Sequence, residues 1–511
     1  MKKEINQLKA GSLLSYLQMG VGVIINLLYT PVMLRLLGQS EYGLYNTVAS
    51  IISMLSLLSL GFNSSYVRYY AKYKKENDRD SINKLNGLFL IIFLIIGVVA
   101  FLCGLFLSFN LNLVFDEGLT AAEYQTAKVL MLLLTVNLAI SFPMSVFQSI
   151  ISAHERYVFL KLLGMLKTVL SPLVTLPLLI MGYRSIAMVS VTLAVAVLTD
   201  ILYFIYSKKK LKVRFKFRNF EKGIFKSLLI FTSFIAINLV VDQINGNMGK
   251  FLLGRFQGTE VVAVYSVGYT LYQLYMTFSI AISGVFSPRI HKIVNETSDH
   301  LINQKKQLTE LFIKVGRIQF LILALICTGV IFFGKPFIRK WAGEGYEQAY
   351  FVAMLLVVSS TVALIQNLGI EIQRAQNRHQ FRSIVYLGMA LLNLATSIIL
   401  CQKIGAVGAA IGTSVSLIVA NGFVMNIYYH KRCHVDIIAF WKNILRQSLG
   451  LIIPVICGCL MNYFFEFDSL LQLLCGIVVY AFIYCLSMWV IGMNEFEKLL
   501  IKNPLRKIVK K

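Results

Sequence analysis

Apolar residues run along this chain in blocks too long for a soluble fold. A membrane helix needs about 20 of them in succession. Such blocks recur at 12–36, 43–67, 86–110, 126–151, 158–181, 185–207, 226–253, 260–287, 316–338, 350–372, 383–402, 405–429, 443–465 and 468–492. Glycine, serine and proline lie inside them, Pro31, Pro143, Pro172, Pro177 and Pro454 among the prolines. Membrane helices tolerate such residues, and long continuous runs fit helices better than strands. The pattern predicts an all-α, polytopic membrane protein of about fourteen transmembrane helices. The first block is longer than a signal-peptide core and no small-residue cleavage site follows it, so it is read as a helix.

One block breaks its own pattern. From Ser227 to Val241 it is almost wholly apolar, and then Asp242, Asn245, Asn247 and Lys250 follow within the same span. A carboxylate at the centre of a membrane helix costs roughly 2.5–3.5 kcal/mol on insertion scales, so it faces protein or water rather than lipid. Asn238, Asp242, Asn245 and Gly249 are spaced four, three and four apart, which puts them on one α-helical face. That face is expected to line a path through the membrane. Asp200 and Glu371 are further acids inside apolar blocks, nearer to helix ends.

Composition agrees with the pattern. Hydrophobic residues make up 57% of the 511 and charged residues 14%, against roughly 25% charged in soluble chains. The longest polar interval, Arg289 to Gly316, is too short to fold as a catalytic domain. A membrane glycosyltransferase or polymerase would need acidic metal-binding motifs or a sizeable loop, and neither is present. His430, Cys433 and His434 sit close together but lack a fourth ligand, so no metal site and no catalytic residue are expected.

The net charge of +25 has a spatial meaning. With the N-terminus inside, forty of the 49 Lys and Arg residues fall in inside segments. The positive-inside rule then places both termini in the cytoplasm. The surplus faces anionic lipid head groups, not nucleic acid. The richest run, Lys208 to Arg218, sits mid-chain and reads as a linker between halves.

Those halves repeat. Gly38 and Tyr45 recur as Gly258 and Tyr265, Arg68 as Arg289, Ala153-x-x-Arg156-x-x-Phe159 as Ala375-x-x-Arg378-x-x-Phe381, and Gly182-x4-Ala187 with Tyr206-x-Lys208 as Gly405-x4-Ala410 with Tyr429-x-Lys431, at offsets of 220 to 223. Six spans per repeat, an even number, give both copies the same orientation. The expected organisation is an N-terminal lobe at 1–207, a basic cytoplasmic linker at 208–226, a C-terminal lobe at 227–430, and two extra spans with a basic tail at 431–511. Shifted by 220, Gln18 falls on Asn238 and Gly22 on Asp242, so Gln18, Gly22, Asn26 and Tyr29 form the equivalent face of the first span. The eighth span adds Tyr265, Tyr269 and Tyr272 along one face, a row suited to stacking on sugar rings or to helix packing.

The run Asn26-x-x-Tyr29-x-Pro31-x3-Arg35-x2-Gly38-x-Ser40-Glu41-Tyr42-Gly43-x-Tyr45, with Val67-Arg68-Tyr69-Tyr70 at the end of span two, resembles the signature of bacterial polysaccharide flippases. These belong to the multidrug/oligosaccharidyl-lipid/polysaccharide exporter superfamily. The resemblance implies two lobes around a central cavity lined by spans one, two, seven and eight. It implies a substrate of undecaprenyl diphosphate carrying an oligosaccharide repeat unit, moved across the bacterial cytoplasmic (inner) membrane. A polysaccharide polymerase and glycosyltransferases are the implied companions. The same resemblance leaves a lipid II or multidrug exporter as an alternative. From another class, a non-transporting component of a polysaccharide-synthesis complex stays open.

Moving a diphosphate across a membrane calls for fixed cations, and the planar, permanently charged fork of arginine suits phosphate. Arg68 and Arg289, at equivalent helix ends, are candidates for receiving the head group, with Arg35, Lys250 and Arg255 towards the other side. No cofactor is expected beyond coupling to H⁺ or Na⁺, for which Asp242 is the candidate.

Overall fold

The structure, a computed structural model, describes residues 6–113, 115, 119–220, 223–296, 301–376 and 378–509. Lys2, Lys3, Lys222, Lys510 and Lys511, five of the cations assigned to the inner face, lie outside the described residues. Among the described residues every regular element is a helix. In order these are α1 (Gln7–Leu37), α2 (Gln39–Leu55), α3 (Phe62–Lys75), α4 (Arg79–Phe109), α5 (Ala121–Ala153), α6 (Tyr157–Ile180), α7 (Ser185–Ile205), α8 (Ile224–Gln243), α9 (Gly249–Phe256), α10 (Thr259–Glu296), α11 (Leu301–Ala342), α12 (Ala349–Leu364), α13 (Leu368–Ala375), α14 (His379–Ile418), α15 (Met425–Lys431), α16 (Ile437–Ser448), α17 (Ile452–Phe464), α18 (Leu470–Ser487) and α19 (Glu495–Val509).

Large apolar side chains stand exposed along these helices at helical spacing. On α1 they are Leu13, Leu17, Ile24 and Leu28, and on α18 Leu471, Leu474, Val478 and Phe482. A water-soluble protein does not carry apolar surface on that scale, so these rows face lipid and the protein crosses the membrane many times. Ten helical stretches among the described residues are long and apolar enough to span, or eleven if α12 and α13, bent by 41°, form one. The expected fourteen differs from this count at three places. The runs 383–402 and 405–429 join in one 52-residue stretch, Gln380–Lys431, kinked where Ile404 and Gly405 leave helical geometry. In α10 the apolar run is diluted by Tyr265, Tyr269, Tyr272, Gln273 and Tyr275. The run 226–253 includes side chains outside the described set.

Two compact units divide the chain. One holds residues up to Ser266 with Leu394–Ala409; the other holds Val267–Asn393 and the chain from Ala410 onward. In the first, aromatic and aliphatic side chains of α3, α4 and α5 form a core around Phe62, Tyr66, Phe89, Phe93 and Phe147. In the second, α11 is the central helix, with Phe312 packed on Phe440 of α16 and Phe333 on Tyr480 of α18.

The sequence repeat is visible in the geometry. Gly38 and Gly258 both have positive φ, at 79° and 88°, and so do Gly182 and Gly405, at 88° and 57°. These conformations disfavour any side chain with a Cβ, which accounts for glycine at both copies. Phe159 stacks on Tyr206 with ring centroids 3.9 Å apart. Its counterpart Phe381 stacks on Tyr428 at 4.2 Å, one residue before the Tyr429 that the sequence repeat pairs with Tyr206, while Tyr429 packs on Phe312.

The basic run between the halves is a docked strap. The Lys216 amide donates to Asn83 O at 2.9 Å and the Asn86 amide donates to Arg214 O at 2.9 Å. Leu211, Val213 and Phe215 pack towards the first unit's core, while Lys212, Arg214, Lys216 and Arg218 alternate outward. The period of two is that of an extended segment.

Candidate functional site

Two spans of the first unit lose regular helical geometry where they face each other. The second span stops at Leu55, continues as a 3₁₀ turn over Ser56–Ser59, and restarts at Phe62. Between them Leu60 and Gly61 take positive φ, 46° and 74°. The seventh span carries a π turn at Ile244–Met248 between α8 and α9. Interrupted helices inside a membrane protein free backbone groups, and they persist where they are buried in protein or line a wet cavity. Such breaks are pointers to substrate and ion sites in transporters.

A ladder of polar side chains joins the two breaks. Gln243 receives a bond from Ser53 Oγ at 3.3 Å and donates to Ser56 Oγ at 3.2 Å. Asn247 donates to Ser53 Oγ at 3.2 Å and to Gln243 Oε1 at 2.6 Å. One turn further, Lys250 Nζ donates to Asn46 Oδ1 at 3.4 Å, and Gly254 packs on Thr47. Interhelical bonds of this kind contribute about 0.6 kcal/mol each on average in membranes, so their number and fixed register matter more than any one.

The π turn also changes the expected face. Asn238, Asp242, Asn245 and Gly249 share a side only in an unbroken α-helix, and one wider turn rotates everything after it. Asp242 is exposed while Asn238 and Asn245 are half-buried. Gly249 lies under the Tyr265 hydroxyl, close enough that a Cβ would sit 3.0 Å from it. Tyr265 itself is buried at this contact, so it serves packing here. On α1, Gln18 reaches across to α6, where a Cβ on Gly164 would meet its amide at 2.6 Å. Asn26, Arg35 and Arg68 are exposed.

In the second unit, Tyr272 is buried and Tyr269 half-buried. Their rings meet edge to face at 5.5 Å, and Gln273 donates to the Tyr269 hydroxyl at 2.9 Å. Arg289 is exposed near the C-terminal end of α10. Glu371 accepts from Ser287 at 2.7 Å and pairs with Arg374 at 2.6 Å, so it is a satisfied structural acid.

Sequence reasoning missed the ladder. Gln243, Asn247, Lys250 and Gly254 have the same four-three-four spacing as the face that was singled out, so spacing alone could not choose between the two sets. It also missed what the Ser40-Glu41-Tyr42-Gly43 run does. Glu41 accepts the Ser185 amide at 2.8 Å and its hydroxyl at 2.6 Å, capping α7. Ser40 donates to Glu123 at the start of α5, and Thr259 at the start of α10 donates to the same carboxylate at 3.3 Å. Gly43 lets the α2 backbone touch Thr259, where a Cβ would fall 1.7 Å from its carbonyl oxygen. Ser40, Glu41 and Gly43 thus hold the starts of α5, α7 and α10 against the start of α2.

The same stretch lies inside a family match that covers residues 8–294. The chain belongs to the polysaccharide biosynthesis protein family. No match to a curated protein sequence was found. Among solved structures it resembles a lipid II flippase, MurJ, in an inward closed conformation, with a TM-score of 0.68, 15% identity, and 96% of this chain against 99% of that one. It resembles an inward-facing multidrug resistance transporter of the MATE family with a TM-score of 0.66, 15% identity, and coverage of 82% and 96%. A MOP-superfamily transporter from Pyrococcus furiosus aligns with a TM-score of 0.60, 15% identity, and coverage of 83% and 96%. At these identities the likeness is one of fold: this family member has the architecture of MOP-superfamily transporters.

Proposed function

We propose that this protein is a flippase that carries undecaprenyl-diphosphate-linked oligosaccharide repeat units across the bacterial cytoplasmic membrane. It acts by alternating access, supplying cell-surface polysaccharide assembly such as O-antigen, capsule or exopolysaccharide. The observation that carries the reading is the combination of a polysaccharide-biosynthesis family match with a transporter fold shared with a lipid II flippase. That likeness supports a lipid-diphosphate substrate. In this reading the chain is a transporter rather than an enzyme, and both termini and the Lys208–Lys226 strap lie in the cytoplasm. The lobes proposed at 1–207 and 227–430 are the sequence repeats, with 431–511 as an addition, and the compact unit that holds the first repeat also takes in α8 and α9.

Side-chain placement supports this assignment. Arg68 and Arg289 are exposed at repeat-equivalent positions, where a permanently charged fork is suited to meeting a diphosphate. Asp242 is an exposed carboxylate beside an interrupted helix, the place for a group that couples H⁺ or Na⁺ to the return step. Asn26, Asn238 and Asn245 offer neutral donors and acceptors for sugar hydroxyls, with Tyr269 as a half-exposed ring.

The test is translocation by the full chain in vesicles. Arg68→Ala and Arg289→Ala each reduce the rate about tenfold or more, the value of one charge-assisted contact of roughly 1.5–3 kcal/mol, at unchanged protein level. Arg→Lys recovers part of it, because charge returns without the fork. Parent-like transport by the double alanine variant would remove both arginines from the path.

A further inference from the structure

Asp200 on α7 is satisfied unlike the other buried and half-buried acids. It is 6% exposed, and among the described residues its single hydrogen-bond donor is the Gln148 amide of α5, at 3.5 Å. That distance is at the outer limit of a hydrogen bond. Compare Glu41, which takes the Ser185 amide and hydroxyl, each under 3 Å, or Glu497, which takes two guanidinium nitrogens and the Asn494 amide. An ionised carboxylate has room for about four donors. One long contact, to a Gln148 side chain that is itself exposed, leaves most of the carboxylate's places for donors empty, and a buried carboxylate so short of donors binds a proton instead.

The surroundings name the ligand. From α6 Asp200 faces Lys167, from its own helix Tyr203, and from α5 the uncharged Gln148. Lys167 is exposed, and no ion pair joins it to Asp200 among the described residues. A metal cation would need several oxygen ligands, and the described residues hold no group of three acidic, His or Cys side chains. A proton needs only one carboxylate and one acceptor. Gln148 supplies that acceptor when its amide is turned, since oxygen and nitrogen of an amide are interchangeable by rotation. The protonated Asp200 hydroxyl then donates to Gln148 Oε1. Asp200 lies five residues before the end of α7, roughly 8 Å of helix, within reach of water and of a long lysine.

We propose that Asp200 is a proton-binding site of the first repeat, occupied in this conformation with Gln148 as its partner and emptied when Lys167 swings in to pair with the carboxylate. The site is separate from Asp242 and gives the transporter a proton-dependent element inside the first repeat. Its significance for transport rests on the proposed function; its protonation does not, and is read without any substrate.

The experiment is infrared spectroscopy of the purified full chain in lipid nanodiscs across the pH range in which it stays folded. A protonated-carboxyl C=O stretch is expected in the parent and in Asp242→Asn, and is expected to vanish in Asp200→Asn. Lys167→Ala lets the band survive to higher pH, because the competing cation is gone. Gln148→Leu shifts its frequency by removing the acceptor. These two variants keep the test available if Asp200→Asn folds poorly. A band that persists unchanged in Asp200→Asn, or that is indifferent to both Lys167→Ala and Gln148→Leu, overturns the proposal.

Discussion

Glu497→Ala is expected to lower the stability of the protein by about 3–5 kcal/mol, the range for removing one member of a buried ion pair. Arg317 on α11 is 4% exposed and Glu497 on α19 is 3% exposed. The guanidinium donates to the carboxylate at 2.5 and 2.9 Å, to Asn443 O at 3.1 Å and to Gly492 O at 2.9 Å. It thereby ties the central helix of the second unit to α16, to the π turn that follows α18 at Met488–Gly492 and to α19. Without the carboxylate, a buried cation keeps only two carbonyl acceptors. Thermal unfolding in detergent and protease release of α19 both report the loss. Replacing the pair together, Arg317→Met with Glu497→Leu, recovers much of it, because an apolar pair carries no desolvation cost. An unchanged melting temperature in Glu497→Ala would mean that the pair is not closed in solution.

The second large effect is expected at Gly43. Glycine to alanine inside a helix normally stabilises by about 1 kcal/mol. Here the sign reverses, because the new Cβ would sit 1.7 Å from Thr259 O and 2.5 Å from Thr259 C. Both are backbone atoms, so the start of α10 has to move away from α2. That displacement costs about 1–3 kcal/mol or more and pulls Thr259 off Glu123 and Ser40. Gly329→Ala on α11 is the control: nothing lies within 4 Å of its Cβ position, so it is neutral or stabilising. Equal melting temperatures for Gly43→Ala and Gly329→Ala would contradict the close approach.

Hydropathy made the membrane helices readable, because lipid demands long apolar runs whatever the packing inside. Two glycine pairs of the expected repeat share a positive-φ backbone conformation. Gly38 and Gly258 were paired on sequence alone, and both proved to need positive φ. Helix rotation was not readable. It is set by which neighbour a face meets, and Gln18 met Gly164 of α6. The π turn at Ile244–Met248 leaves no mark in composition, yet it separates Gly249 from the line of Asn238 and Asp242. The Arg317–Glu497 pair lies 180 residues apart, and each residue alone looks like an ordinary charge near a helix end. The Asp200–Gln148 contact had the same difficulty, since its meaning lies in the donors that are missing.

The most direct measurement of the central claim uses the purified chain in sealed vesicles holding an undecaprenyl-diphosphate oligosaccharide labelled on its sugar. The fraction of label reachable by a membrane-impermeant glycosidase is followed over time. The account predicts that the protein moves the label across the bilayer far faster than empty vesicles do, and that the Arg68→Ala, Arg289→Ala double variant loses most of that gain at equal protein content. Label that crosses no faster with the protein than without it, in vesicles where the parent is folded and correctly inserted, would contradict the account.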